Sequence, residues 1–303
     1  MERGGLKLTL TADAVCSRLL ERMREKPVTA TVHSVFDHAV NLAFENRTGL
    51  VGLIAGEKTL TPYAVSVQTP CSFTELGFRA GMAAAVQAET IELPEAGVLI
   101  DCSRTKPIDL GIGSLRFDTP AGLRQALPVL RQTLEQTDAE VCLAPLVTGG
   151  AGNVYTNFLA PRLEELVQAV AAGDAKRAAS AAANAAGCGM GLTPSSDDLL
   201  TGYFAGIHAI FRTEGKAERI SLITIMAQRA AEKTNRISAT FLLQSGEGLV
   251  NYDLLLLIQS IVTGADSTAI KQAAQKVLSI GSTSGGDMLT GLSLALAHHA
   301  GGN

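Results

Sequence analysis

Apolar positions alternate with polar ones through most of the first third of the chain. After a short helical pattern over Asp13 to Glu25, the stretches V-T-A-T-V-H-S-V-F, A-V-N-L-A-F and G-L-V-G-L-I within Val28 to Gln68 are rich in β-branched or alternating apolar residues. Asn46-Arg47-Thr48-Gly49 and Gly56-Glu57-Lys58 break them as turns would. The same signal returns at Tyr63 to Val67, Glu89 to Leu93, Gly97 to Ile100 and Ser114 to Asp118. From about Thr119 the spacing lengthens to three and four residues. Helices are predicted over Pro120 to Glu135, Leu159 to Ala172 and the alanine-rich Ala175 to Ala186, then Asp197 to Arg212, Glu218 to Lys233 and Ile237 to Ser245. Three more follow at Tyr252 to Val262, Ser267 to Leu278 and Gly285 to His299. One strand interrupts them, Val141 to Val147, ending in the loop Thr148-Gly149-Gly150-Ala151-Gly152-Asn153. The pattern is α+β: a mostly β domain over residues 1–118 and a mostly α-helical domain over residues 119–303.

A length of 303 residues suits two cores. The net charge of -4 and the scatter of Lys and Arg argue against nucleic acid or an anionic membrane as partner. No segment approaches the roughly 20 apolar residues of a membrane span, and the N-terminus does not read as a cleaved signal, so a cytoplasmic protein is expected. The five cysteines, Cys16, Cys71, Cys102, Cys142 and Cys188, contain no C-x-x-C pair. They are expected as reduced, mostly buried thiols. Cys188, beside a glycine loop, reads as a small packed residue rather than a nucleophile.

The helical domain carries a repeated element. Ser195-Ser196-Asp197-Asp198-Leu199-Leu200-Thr201-Gly202 recurs 89 positions later as Ser284-Gly285-Gly286-Asp287-Met288-Leu289-Thr290-Gly291, both obeying S-x-x-D-x-L-T-G. Gly and Thr precede each copy and an apolar helix follows each, which suggests two pseudo-twofold-related loop-helix elements. A Ser followed three residues later by Asp resembles a capping box. Capping leaves unexplained the spaced glycines Gly187, Gly189 and Gly191 and the run Thr193-Pro194-Ser195-Ser196. Glycines let backbone N–H groups close around an oxyanion, and a helix N-terminus adds about half an elementary charge. The junction Gly187 to Gly202 is therefore the candidate site for a phosphate or carboxylate. It is neither a P-loop, since no Lys follows the last glycine, nor a dinucleotide fingerprint, since an alanine helix precedes it. Asp197 and Asp198 would oppose a bare anion, so they either cap the helix or hold Mg2+, Asp198 acting across the repeat with Asp287. As neighbours they lie about 100 degrees apart on a helix and cannot share one face.

The run Gly187 to Gly202, G-C-G-M-G-L-T-P-S-S-D-D-L-L-T-G, resembles the G-x-G-x-G-L-T-P-S-G-D-D-x-L-x-G motif of the AllH family. Ser196 replaces a usual Gly and Met190 a frequent Pro. His33-Ser34-Val35-Phe36, Thr234-Asn235-Arg236-Ile237-Ser238 and Ser284 to Gly291 extend the similarity over most of the chain. The resemblance implies one subunit of an oxamate carbamoyltransferase of allantoin and purine catabolism. That enzyme interconverts oxalurate plus phosphate with oxamate plus carbamoyl phosphate, and two other subunits complete it. No cofactor is expected, Mg2+ at Asp197 and Asp198 being the alternative. Self-association stays open.

In that reading the N–H groups near Gly189, Gly191 and Ser196, with the hydroxyls of Thr193, Ser195 and Ser284, bind an anion. Asp198 and Asp287 are catalytic, orienting an amide nitrogen and handling its proton. Arg236 is either a bidentate carboxylate clamp or an ordinary surface arginine. His33 is either a general base or a satisfied strand residue. Arg104 and Lys106 are weaker phosphate contacts. Two other functions fit the same residues: a Mg2+-dependent hydrolase using Asp197, Asp198 and Asp287, and a scaffold subunit without chemistry of its own.

Overall fold

A computed structural model describes residues 8–25, 27–44, 49–56, 58–117, 121–138 and 140–301, of which 299–301 by backbone only. The turn at Asn46-Arg47-Thr48, the 118/119 domain boundary and the His299 side chain thus lie outside the described residues. The chain divides into two compact units, residues 1–110 and 111–303.

The first unit is a nine-stranded sheet that closes on itself. Its strands are β1 (Leu8–Cys16), β2 (Val28–Phe36), β3 (Ala39–Phe44), β4 (Leu50–Ala55), β5 (Ala64–Val67), β6 (Ala83–Gln87), β7 (Thr90–Leu93), β8 (Val98–Asp101) and β9 (Lys106–Ile108). The spatial order is β5-β4-β3-β2-β6-β7-β8-β1-β9, and a further β5–β1 pairing makes it a barrel, so that β1 runs parallel to β8 over its first half and antiparallel to β5 over its second. Closure pairs β5 on both sides and, among the described strands, leaves only the three-residue β9 with a single neighbour. Alternation fills the interior with Val32, Val40, Leu42, Leu53, Val65, Ile91, Leu93 and Ile100. The pattern over Asp13 to Glu25 divides in two: Asp13 to Cys16 finish β1, and only α1 (Ser17–Glu25) is helical, burying Leu19, Leu20 and Met23.

The second unit is helical: α2 (Ala121–Leu134), α3 (Pro145–Thr148), α4 (Val154–Ala172), α5 (Ala175–Ala185), α6 (Ser195–Thr213), α7 (Ile220–Ala231), α8 (Arg236–Gly246), α9 (Tyr252–Val262), α10 (Ser267–Leu278) and α11 (Ser284–Gly301). Two predicted strands are absent. Val141 to Val147 forms a turn running into α3, because Pro145 pre-sets helical φ at the first helical position. Ser114 to Asp118 is replaced, as far as it is described, by a 3-10 turn over Ile112–Ser114 and a strandless exit, its ladder reduced to one bridge from Gly111 to Leu249.

The centre of this unit is α6, buried from Ser195 through Phe211. It crosses α11 where both chains are glycine. A Cβ built on Gly202 would stand 1.9 Å from the Met288 carbonyl oxygen, and one on Gly291 would stand 1.8 Å from that of Leu199. Leu199 and Met288 occupy the same place in the two copies of the repeat, as do Gly202 and Gly291, so the contact is reciprocal. The T-G that ends each copy exists because no side chain fits between two backbones this close.

Candidate functional site

The loop between α5 and α6 carries positive φ at Gly187 (76°), Gly189 (127°) and Gly191 (97°), a region disfavoured for side-chain-bearing residues. A Cβ at Gly189 would lie 2.5 Å from the Ser195 amide, so this glycine also serves close approach to the helix start. Asp197 accepts a hydrogen bond from the Gly187 N–H at 2.7 Å, and the Ser196 hydroxyl accepts one from the Cys188 N–H at 2.8 Å. The Ser196 N–H returns to the Cys188 carbonyl at 2.9 Å. The two ends of the loop are therefore clamped together. Between them, the N–H groups of Gly189, Met190 and Gly191 make no hydrogen bond among the described residues, and Met190 and Gly191 are exposed.

This geometry revises three expectations. Ser195 is the first residue of α6 rather than its cap: the cap position is Pro194, whose carbonyl accepts from Asp197 N at 2.8 Å, with no side-chain cap, so the capping box is not formed. The Ser196 N–H is spent on Cys188 and belongs to the clamp, not to an open cradle. Both Asp197 oxygens are used, Oδ1 by Gly187 and Oδ2 by the Thr234 hydroxyl ahead of α8. Thr234 and Asn235 tie this region further. Asn235 caps α8 through Ile237 N and Ser238 N, and its amide donates to the Leu192 carbonyl at 2.9 Å. Arg236, next in the chain, is exposed at the first turn of α8.

Asp197 and Asp198 face different partners, as their angular offset requires. Asp198 turns toward α11. It accepts from the Thr193 hydroxyl at 2.9 Å, and Thr193 Oγ1 also lies 3.3 Å from Ser284 Oγ. The repeat is crossed. The Ser284 hydroxyl of the second copy stabilises the charge of Asp198, and the Ser195 hydroxyl of the first copy that of Asp287. Asp287 Oδ1 accepts from the Leu143 N–H at 2.8 Å, in the turn before α3. Its Oδ2 is buried and has no partner of good geometry among the described residues.

Burial dominates the electrostatics. It pushes Asp198 up to about 7 against the Ser284 and Thr193 hydroxyls, with Asp287 and Asp197 adding repulsion. Burial likewise pushes Asp287 up to about 6, opposed by the Leu143 N–H and the Ser195 and Thr283 hydroxyls. Asp197 is raised by burial and held down by Thr234 and Gly187. Burial also raises the Cys188 thiol, against the opposing charge of Arg162, so Cys188 is not an activated thiolate.

Thr193, Ser195, Asp198, Ser284 and Asp287 thus form one cluster, with Gly189 and Gly191 in the loop leading to it. His33 stands on the barrel, exposed, its ring 3.2 Å from Ser34 Oγ at a bulge where Val32 pairs with Leu42 and Ser34 with Asn41. The Leu143 N–H and Arg162 were missing from the sequence-derived site: a backbone amide in a turn leaves no residue signature, and Arg162 sits in an ordinary helical pattern. Among the described residues, no three His, Cys, Asp or Glu side chains gather as a metal site, and no helix is long and apolar enough to cross a membrane.

A closed β-barrel unit, followed by a helical unit built on two crossed copies of one loop-helix element, defines the class of protein. Two family models match it: residues 9–107 fit the AllH family N-terminal domain, and residues 185–296 fit the oxamate carbamoyltransferase subunit AllH. The chain belongs to the AllH family and is by that membership a subunit of a multisubunit transferase. No solved structure matches it.

Proposed function

We propose that this chain binds a small anion at the Gly187 to Gly202 loop and supplies the Asp198–Asp287 pair to the carbamoyl transfer between oxalurate plus phosphate and oxamate plus carbamoyl phosphate. The observation that carries the reading is adjacency. Three N–H groups, at Gly189, Met190 and Gly191, that make no hydrogen bond among the described residues lead through Thr193 to a buried carboxyl pair, one oxygen of which has no well-formed hydrogen bond among them either. Donors of this kind suit a phosphate or carboxylate, which are the charged groups of both substrates.

Oxalurate phosphorolysis forms a bond from a phosphate oxygen to the carbamoyl carbon and breaks the bond from that carbon to the oxamate nitrogen. The nitrogen leaves as an amide and needs a proton. Asp198, near 7, holds a proton in about half of the molecules at neutral pH, and Asp287, near 6, can pass it to the nitrogen and reclaim it in reverse. Asp287 Oδ2, buried with no hydrogen bond of good geometry among the described residues, is the atom we assign to the nitrogen, with Asp198 beside it as reservoir. Asp197 is left to hold the loop. The odd number and wide spacing of the five cysteines suit a reducing compartment, the cytoplasm, where two further subunits complete the enzyme.

The test is oxalurate phosphorolysis by the reconstituted assembly. Gly191→Val together with Ser195→Ala fills the loop and removes one hydroxyl of the cross. Turnover is expected to fall at least about 100-fold while the assembly and its melting temperature persist. Turnover at the original rate would overturn the site assignment.

A further inference from the structure

Five of the seven large apolar side chains that stand exposed among the described residues fall on three neighbouring segments, the turn before α3, the first turns of α4 and the glycine loop. They are Val141 (51 % exposed), Val154 (71 %), Phe158 (42 %), Met190 (78 %) and Leu192 (56 %). Their closeness follows from the α4–α5 hairpin. Gly173, with φ 69°, turns the chain, Asp174 caps α5, and Glu165 pairs with Arg177 across the hairpin at 2.9 Å. The 11 residues of α5 run back along the 19 of α4 about as far as Arg162, so the glycine loop leaves α5 beside the N-terminal half of α4. The charge of Arg162, on α4, accordingly reaches Cys188 in that loop. The Asn153 amide donates to the Cys142 carbonyl at 2.9 Å, bringing Val141 to the same end.

Arg162 completes the patch. Its guanidinium lies 3.6 Å from the Phe158 ring centroid and donates to the Phe158 carbonyl, but it meets no carboxylate among the described residues. A cation stacked on an exposed aromatic ring, with exposed Met and aliphatic residues on the adjoining segments, has the composition of an interface core, where aromatic residues, Met and Arg are enriched. Scattered exposed apolar residues need no explanation, whereas a gathering beside a functional loop does.

We infer that this face, Val141, Val154, Phe158, Arg162, Met190 and Leu192, is where another subunit of the carbamoyltransferase docks, presenting an apolar surface with a carboxylate opposite Arg162. The family supplies the need for such a partner, and the unmatched guanidinium supplies the complementarity. Docking here covers the glycine loop and shields its amides from water. The partner would thereby complete the anion site rather than merely adjoin it.

The full-length chain, titrated with the other subunits and without substrate, tests this independently of any chemistry at the loop. Val154→Glu, Met190→Glu and Leu192→Glu combined should weaken association at least about 100-fold, and Arg162→Glu at least about tenfold. Ile225→Glu and Tyr252→Glu, exposed apolar positions elsewhere, should leave it unchanged. Should the triple variant not melt like the parent, Met190→Glu alone, the most exposed of the set, is expected to give at least about a tenfold loss. Unchanged association of these variants overturns the inference. So does a dimer of the isolated chain that the same substitutions dissolve, which would make a second copy the occupant.

Discussion

The two copies of S-x-x-D-x-L-T-G agree where they touch each other and differ where they touch their loops. The shared Ser, Asp and Gly positions build the crossing: Gly202 against Met288, Gly291 against Leu199, Ser284 toward Asp198 and Ser195 toward Asp287. Leu199 and Met288 differ but stay apolar. The two positions that change character are Ser196 and Asp197 in the first copy against Gly285 and Gly286 in the second. Ser196 and Asp197 clamp the start of the long glycine loop, through Cys188 and Gly187. Gly285 plays the opposite part. A Cβ there would lie 1.9 Å from the Val277 carbonyl oxygen, so this glycine lets α10 run tight against α11. Pseudo-symmetry makes the scaffold, and its breaking at two residues clamps a glycine loop at one end only. A duplicated element can thus hold two carboxyls together while opening one loop.

The crossing is the part most costly to disturb. Gly202→Ala and Gly291→Ala each place a methyl group inside the van der Waals radius of a backbone carbonyl, which helix displacement must relieve. Each should destabilise the helical unit by about 3 kcal/mol or more, at the top of the overpacking range. Denaturant unfolding followed by circular dichroism measures it. The two losses should be equal within about 0.5 kcal/mol; a severe loss at one glycine with a mild one at the other would break the reciprocity.

How much of this could be read in advance differs between the two units and within them. Barrel strands β2 and β3 were legible because alternation is local, and β4 as a short apolar run bounded by turn residues. The β1 strand was not, since its last four residues, Asp13 to Cys16, flow without a turn into an amphipathic helix. Helices α9 and α10 follow the apolar period to the residue. Val141 to Val147 misled because a run of small apolar residues looks the same whether it is a buried strand or a buried turn, and Pro145 decided the matter. Within the site, the residue types and the repeat were visible, and so was the separation of Asp197 from Asp198. What the sequence could not carry was which hydroxyl serves which carboxyl. Ser195 reads as a cap for its own helix, yet it serves the aspartate of the other copy, a pairing that only the crossing creates.

The carboxyl pair gives a smaller but directional effect on stability. The ordinary aspartate pKa is about 4. In the folded chain Asp198 rises to about 7 and Asp287 to about 6, so between these limits the native state binds more protons than the unfolded one. Stability contributed by the protonated forms is therefore full below about pH 4 and is lost as the pH climbs through 6 and 7. His208, buried in α6 and lowered to about 4 by burial, acts in the other direction, costing stability as the pH falls from its ordinary 6.5. Asp198→Asn isolates the carboxyl contribution. Its melting temperature should change less than the parent's between pH 5 and pH 8, gaining on it at pH 8, while phosphorolysis falls about 100-fold or more. Parallel melting curves across that range would show that Asp198 ionises as an ordinary surface carboxylate does, and would remove it as the proton reservoir.

The smallest effects should come from making the first copy resemble the second. Ser196→Gly removes the acceptor of the Cys188 N–H and the hydroxyl beside Asp197, but leaves the Ser196 N–H to Cys188 carbonyl bond in place. One neutral hydrogen bond is worth about 1 kcal/mol, so global stability should hardly move. The loop should loosen instead. Amide hydrogen exchange at Cys188, whose N–H would lose its partner, is expected to accelerate severalfold, with the α6–α11 core unaffected. The reverse exchange, Gly285→Ser, must be far worse, because its Cβ meets the Val277 carbonyl rather than a loop. The pair of substitutions therefore separates the two roles that one motif position plays. If Gly285→Ser were as mild as Ser196→Gly, the tight α10–α11 approach would not be what keeps glycine in the second copy, and the difference between the copies would lose its physical cause.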